Sequence, residues 1–252
     1  DAVVVYGDTN STLAGARAAR ACGARLLHVE AGIRSFDRSM PEELNRIEVD
    51  RLADLRLAPT GLATWFLTGL EGHSPSSCLA VGNLVVDAWQ RHRAQVLARP
   101  LAAEVAGLEG PYGVLTLHRQ ATVDDPDVLA RALAELGALD LPLFFPVHPR
   151  TAGSVERFGL EWPANFLVCE PIGYLDFCRA MASSTLLLTD SGGVQEEAIT
   201  LGIPCVTLRP NTERMETVFL GANRLFDLER DRGLAAQAHE ILSGTPPGTF
   251  LP

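Results

Sequence analysis

The sequence predicts an α/β protein built as two Rossmann-like domains, each a parallel sheet flanked by helices. Three observations lead there. Short apolar, β-branched runs alternate with helical stretches along the 252 residues. The runs are continuously apolar, as strands are when a parallel sheet is covered on both faces. Ten such runs are many for a single doubly wound sheet.

The elements follow in order. The first strand is expected at Ala2–Tyr6, where three valines stand in a row, and the second at Arg25–Val29. Between them Ser11–Cys22 reads as a helix stopped by Gly23, because glycine takes the left-handed conformation that ends helices. Pro41 opens the next helix, since the first helical position needs no N–H, and Glu42 and Glu43 suit its positive dipole end. Leu55–Ala58 and Cys78–Val81 complete the first domain, read as residues 1–88. From Trp89 to Gly110 the chain is helical and then punctuated by Pro and Gly, the expected hinge. The second domain, 89–229, should carry strands at Gly113–Leu117, Leu143–Val147, Asn165–Cys169, Thr185–Thr189, Pro204–Leu208 and Arg224–Phe226. Glu196–Leu201 before Gly202 repeats the helix-then-glycine signature. The last helix, over 230–243, is expected to pack back on the first domain. Asp1–Val5 begins inside an apolar run without a methionine, so the first domain is read as incomplete at its N-terminus.

Composition excludes several chemistries. All 21 basic residues are arginine, against 31 acidic ones, for a formal charge of −10. Without lysine there is no P-loop, no Schiff-base or pyridoxal-phosphate amine and no kinase strand lysine. An acidic balance with no basic run argues against nucleic acid or an anionic membrane as partner. No stretch nears the roughly 18 consecutive apolar residues of a membrane span. Five cysteines without a CxxC pair read as buried reduced thiols, pointing to the cytoplasm. No metal site is expected.

In open α/β sheets ligands bind beyond the carboxyl ends of the strands. Asp8, Glu30, His118, His148 and Asp190 each follow an apolar run directly. Asp8 can equally cap the helix beginning near Asn10, Glu30 can be a loop charge, and either histidine can be structural. The run Asp190-Ser191-Gly192-Gly193-Val194-Gln195-Glu196-Glu197 is the sharpest signal. It reads as strand, glycine-rich turn and helix start, whose free N–H groups and positive dipole suit a diphosphate. Glu197 stands where it could accept from ribose hydroxyls, and Arg214 could add charge at the same phosphates. A plain tight turn capped by Ser191 remains the simpler reading. Asp8, Glu30 and Glu42 fall in loops at one edge of the first sheet. Carboxylates facing one crevice raise each other's pKa, which suits proton transfer at an unactivated C–H.

These residues resemble those of the non-hydrolysing UDP-N-acetylglucosamine 2-epimerases. The resemblance rests on Tyr6-Gly7-Asp8-Thr9, His28-Val29-Glu30-Ala31-Gly32-Ile33-Arg34, Pro41-Glu42-Glu43-Leu44-Asn45-Arg46, Val81-Gly82-Asn83, the run Thr189–Ala198, and Thr212-Glu213-Arg214. It implies the GT-B arrangement, with the nucleotide in a cleft. It also implies conversion of UDP-GlcNAc to UDP-ManNAc by elimination and re-addition of UDP, for cell-surface polysaccharide precursors. No cofactor is implied, in keeping with the missing GxGxxG, and a homodimer is. By match, Asp8, Glu30 and Glu42 are the catalytic carboxylates and His118 the catalytic histidine. Ser191, Gly192, Gly193, Glu197 and Arg214 would hold UDP, with Phe177 at the uracil and Arg34, Arg119 and His148 as further binding residues. The family begins with a strand and a glycine-rich GTRPE loop that this sequence does not show, so a truncated chain is expected. Ala121-Thr122 stand where the family usually has Glu-Asn, and the short Glu30–Glu42 loop also occurs in relatives acting on other UDP-sugars. A hydrolysing relative that releases N-acetylmannosamine and a non-catalytic UDP-sugar-binding remnant are the alternatives. A GT-B glycosyltransferase is disfavoured by the carboxylate of His28-Val29-Glu30-Ala31-Gly32.

Overall fold

All ten expected strands form. The computed structural model describes residues 1–244. They run β1 (Ala2–Tyr6), α1 (Asn10–Ala21), β2 (Arg25–Val29), α2 (Pro41–Leu52), β3 (Leu55–Ala58), α3 (Gly61–Trp65), β4 (Cys78–Ala80), α4 (Leu84–Leu97), α5 (Ala103–Ala106) and β5 (Gly113–Thr116). Then come α6 (Gln120–Val123), α7 (Pro126–Gly137), β6 (Leu143–Pro146), α8 (Pro149–Phe158), β7 (Phe166–Cys169) and α9 (Tyr174–Ala182). Last are β8 (Leu186–Thr189), α10 (Gly192–Leu201), β9 (Cys205–Thr207), α11 (Met215–Phe219), β10 (Asn223–Leu225) and α12 (Leu234–Ser243). The chain divides into two compact units: Asp1–Asp87 with Asn211–Glu216, and Ala88–Pro210 with the residues from Thr217 on. The first boundary falls inside α4, ahead of the Pro/Gly-punctuated stretch.

The first unit holds a parallel sheet in the order β1-β2-β3-β4. Right-handed crossovers taken always in one direction place every connecting helix on one face. That face, lined by Val5, Leu26, Ala58 and Cys78, forms the unit's core with the helices. The other face carries Val4, Tyr6, Leu27, Val29, Leu57 and Leu79, none of them buried. The expectation of two covered faces is therefore met by helices on one face only among the described residues, and the one-way strand order is the reason.

The second unit's parallel sheet has the order β10-β9-β8-β5-β6-β7. Its direction reverses at β5, so helices cover both faces. Alternate strand residues feed two cores. Leu115, Leu143, Phe145, Leu188 and Val206 pack with α7, α8 and α12. Val114, Phe144, Leu187 and Cys205 pack with α9 and α10. The C-terminal helix, expected to reach back to the first domain, packs in the core of the second unit. Leu234, Ala238 and Ile241 form its apolar stripe against this core. The Glu135 carboxylate of α7 accepts from the Gly233 and Leu234 N–H groups that open it. Among the cysteines Cys78, Cys178 and Cys205 are buried, but Cys22, beyond the end of α1, is exposed rather than enclosed.

Two glycines at the strand ends of the first unit have positive φ, 71° at Gly7 and 80° at Gly32. A Cβ on Gly7 would meet nothing within 4 Å, whereas one on Gly32 would lie 2.4 Å from the carbonyl oxygen of Ala63. Gly7→Ala is expected to lose about 1–2 kcal/mol of stability, the strain of a left-handed L-residue. Gly32→Ala is expected to lose about 3 kcal/mol or more, because backbone must also move. Urea unfolding of the two variants measures the difference, and equal losses would contradict the close approach.

Candidate active site

The reversal of strand order between β5 and β8 is a topological switch point, where α/β sheets open a crevice beyond the strand ends. His118 follows β5, and Asp190 and Ser191 follow β8. Thr116 and Thr189 are register partners whose hydroxyls lie 2.5 Å apart. Asp190 is fully buried. Its Oδ2 accepts from the backbone N–H groups of His118 and Arg119, both at 2.7 Å, and so ties the two strand ends together. The His118 ring is 41% exposed, with Nδ1 2.9 Å from Asp190 Oδ1. That contact is not aligned as a hydrogen bond and leaves Oδ1 without a hydrogen-bond partner. The His148 ring lies 6.0 Å from that of His118, centre to centre. His148 Nδ1 accepts from the Arg150 N–H at 3.1 Å and caps α8, which leaves the proton on Nε2.

Ser191 is the N-cap residue of α10, yet its hydroxyl accepts nothing from the first turn. The opening N–H groups of α10 and its positive end suit an anion, and open space surrounds the Gly193 Cα where a Cβ would stand. Gln195 donates to the Ser191 carbonyl and accepts from Asn223, which fastens the turn to β10. Further along, burial pushes the Glu197 carboxyl up to about 7, although the Tyr174 hydroxyl donates to it and lowers it. Tyr174 is driven above its ordinary value by burial and by the Glu197 charge, so it keeps its proton. Phe177, three residues on, is half-buried in the neighbouring apolar core. An apolar recess of about 450 Å³, lined by Pro111, Leu139, Leu141, Leu186 and Leu242, opens at the opposite end of this sheet, away from these residues.

In the first unit Thr9, not Asp8, caps α1, accepting from the Thr12 N–H at 3.2 Å. Asp8 instead receives Arg46 Nη1 at 2.5 Å. Burial raises its pKa, Arg46 and Arg214 oppose the rise, and Glu213 and Glu42 add to it. Desolvation, more than repulsion among the carboxylates, is thus the main cause. Glu30 has a φ of 65°, a strained value for a residue with a Cβ. Its Oε1 accepts from the Tyr6 hydroxyl at 2.7 Å and its Oε2 from Arg214 Nη2 at 3.3 Å. Arg214 reaches it because Asn211–Glu216 belongs to this unit, held by Asn211 on Asp37 and Glu216 on Thr60. Glu42 is partly exposed at the start of α2. Its neighbour Glu43 is buried and accepts from the Ser35 and Phe36 N–H groups at 2.9 and 3.0 Å and from Arg46 at 3.0 Å.

The family model described as UDP-N-acetylglucosamine 2-epimerase matches residues 1–245. The chain belongs to the UDP-N-acetylglucosamine 2-epimerase family. The UDP-N-acetylglucosamine 2-epimerase of Methanocaldococcus jannaschii is 40% identical over 248 residues, which cover 94% of this chain and 67% of that protein. The UDP-2,3-diacetamido-2,3-dideoxy-D-glucuronate 2-epimerase of Pseudomonas aeruginosa is 42% identical over 234 residues, 91% of this chain and 64% of that one. The crystal structure of the M. jannaschii epimerase in complex with UDP-GlcNAc and UDP matches with a TM-score of 0.88 at 39% identity, over 97% of this chain and 70% of that chain. The chain spans about two thirds of the length of the curated relatives it matches.

Within this epimerase-family chain, one expected binding residue stands apart. Arg34 is 1% exposed. Its nitrogens go to Glu71, Asp50 and the Ile33 carbonyl, so it is not open to a ligand. Sequence reasoning gave no site role to the partners of the other candidates, notably Arg46, Glu43, Asp50 and Tyr174. A signal for three of them was present. Glu43, Arg46 and Asp50 recur in step with the helix, and this charged stripe is buried while Leu44 is 51% exposed.

The raised Glu197 carboxyl yields a signed expectation. In the folded chain it holds its proton to about pH 7, against an ordinary 4.5. Between those values the native state binds more protons, so its ionisation lowers stability as pH rises. Glu197→Gln should therefore raise Tm more at pH 8 than at pH 5, read by thermal unfolding. Equal gains at both pH values would contradict this.

Proposed function

We propose that the protein epimerises C2 of a UDP-N-acetylhexosamine, interconverting UDP-GlcNAc and UDP-ManNAc through elimination and re-addition of UDP. One observation carries this reading: in a chain of this family, Asp8 and Glu30 stand at adjacent parallel strand ends, each bonded to an arginine. A base takes the C2 proton while the C1–O bond breaks and its electron pair leaves with UDP, giving a 2-acetamidoglucal. A UDP oxygen then adds back to C1, and C2 regains a proton on its opposite face. No net oxidation occurs, so the chemistry calls for acid–base groups and not for a redox cofactor.

In the first unit Asp8, Glu30 and Glu42 are the acid–base groups. Burial lifts Asp8 toward a pKa useful for accepting and returning a proton, while Arg46 keeps its ionised form attainable. Arg214 is the cation beside Glu30 and supports negative charge there. In the second unit Ser191, Gly192 and Gly193 hold the diphosphate on the α10 N–H groups. His118 assists its departure, and Arg119 and His148 add donors at the same strand ends. Glu197 accepts from the ribose hydroxyls, and Phe177 lies at the uracil. In this reading the enzyme is a cytoplasmic homodimer that supplies cell-surface polysaccharide precursors. Unpaired thiols suit a reducing compartment, and no described helix is long and apolar enough to cross a membrane.

Incubation with UDP-GlcNAc in D2O, followed by NMR, tests the reading in the chain together with any flanking sequence its gene encodes. Deuterium is expected at C2 of both UDP-sugars. Asp8→Asn and Glu30→Gln are each expected to slow that exchange by roughly 10²–10⁴-fold while UDP still binds. Release of free sugar with UDP, or binding without exchange, would contradict epimerisation.

A further inference from the structure

Behind the strand ends of the first unit lies a buried cluster that this chemistry does not use. His28 in β2 and Asp50 near the end of α2 are both fully buried. Asp50 Oδ1 stands 2.6 Å from His28 Nδ1, and His28 Nε2 stands 2.9 Å from the Gly7 carbonyl oxygen. The Gly7 carbonyl can only accept, so His28 Nε2 carries a proton and donates to it. Asp50 Oδ2 accepts from the Gly32 N–H at 3.1 Å and from Arg34 Nη2 at 2.6 Å. Arg34 continues to Glu71 through Nε at 2.6 Å and Nη2 at 2.8 Å. Burial pushes the Asp50 carboxyl up, but the His28 and Arg34 bonds hold it below the usual carboxylate range.

Two of these bonds fall on backbone close to a candidate acid–base residue. The Gly7 carbonyl belongs to the peptide bond that joins Gly7 to Asp8. The Gly7 N–H is held by the Val29 carbonyl at 3.2 Å, so both sides of that glycine are fixed. The Gly32 N–H lies two residues beyond Glu30, whose left-handed backbone persists only if its surroundings over-determine it. The Ala31 N–H between them donates to the Leu57 carbonyl at 3.2 Å. One carboxylate therefore grips the turn after β1 through His28 and the turn after β2 directly.

We propose that Asp50 and His28 are positioning residues, which set the directions in which Asp8 and Glu30 leave their strands. The proposal rests on the functional reading above for the meaning of those two carboxylates. It predicts that damage to the pair lowers turnover without weakening binding of the nucleotide.

The test compares Asp50→Asn, His28→Asn and His28→Gln with Val49→Ala, a fully buried apolar neighbour of Asp50 on the same helix. Steady-state epimerisation of UDP-GlcNAc gives kcat and KM, and carbon-13 NMR gives the titration midpoint of the Asp8 carboxyl. In Asp50→Asn and His28→Asn kcat should fall by roughly 10–100-fold, the effect of a misplacement near 1 Å, with KM little changed. His28→Gln should recover part of the loss, since its amide reaches the place of Nε2 and keeps a donor for the Gly7 carbonyl. The Asp8 midpoint should move in Asp50→Asn and His28→Asn and stay in place in Val49→Ala, although that variant also lowers Tm. The proposal is overturned if the polar variants keep wild-type kcat, lose no more than Val49→Ala, or leave the Asp8 midpoint unmoved. Absence of turnover in the unaltered protein would count against the functional reading, and the Asp8 titration alone would then decide the positioning role.

Discussion

The carboxylate of Asp50 is the constraint on which the strand ends of the first unit depend. Removing an aspartate from water is unfavourable unless its oxygens are bonded. Here they are bonded by His28, Gly32 and Arg34. The run His28-Val29-Glu30-Ala31-Gly32 then has a reason at each position. His28 spans from Asp50 to Gly7, and the Val29 carbonyl receives the Gly7 N–H. Ala31 is fully buried, and Gly32 has no room for a Cβ beneath Ala63. Glu30 alone carries its carboxylate away from this cluster, to Tyr6 and Arg214, from a left-handed backbone conformation.

The second unit solves the same problem with the same chemistry. Parallel strands end with N–H groups that the ladder no longer satisfies, and an unbonded buried N–H is costly. Asp190 collects those of His118 and Arg119, as Asp50 collects that of Gly32. The topologies differ. The second sheet reverses direction at β5, so its candidate binding turns arise at a switch point. The first sheet runs one way, and its candidate residues stand on two consecutive strands.

Much of this was legible in the sequence, for a physical reason. Strands buried in parallel sheets are apolar throughout, so an ionisable residue directly after such a run marks a strand end, as at Asp8, Glu30 and His118. The turn Ser191-Gly192-Gly193 announced itself by its glycines and the helix that follows. The spacing of the α2 charges was legible but their burial was not, because a charge on a helix reads as solvated until its partner is known. Arg34 meets Glu71 37 residues away, and His28 meets Asp50 22 residues away. The destination of α12 was hidden likewise. Its stripe of Leu234, Ala238 and Ile241 shows an apolar face but not which core receives it.

If one buried pair positions Asp8 and Glu30, its two members are coupled in a way that single substitutions cannot isolate. A double-mutant cycle on kcat, with His28→Asn, Asp50→Asn and the two combined, tests it most directly. If both residues act through one linkage, the double variant should be no slower than the slower single variant. Losses that multiply would show two independent roles and contradict the pair.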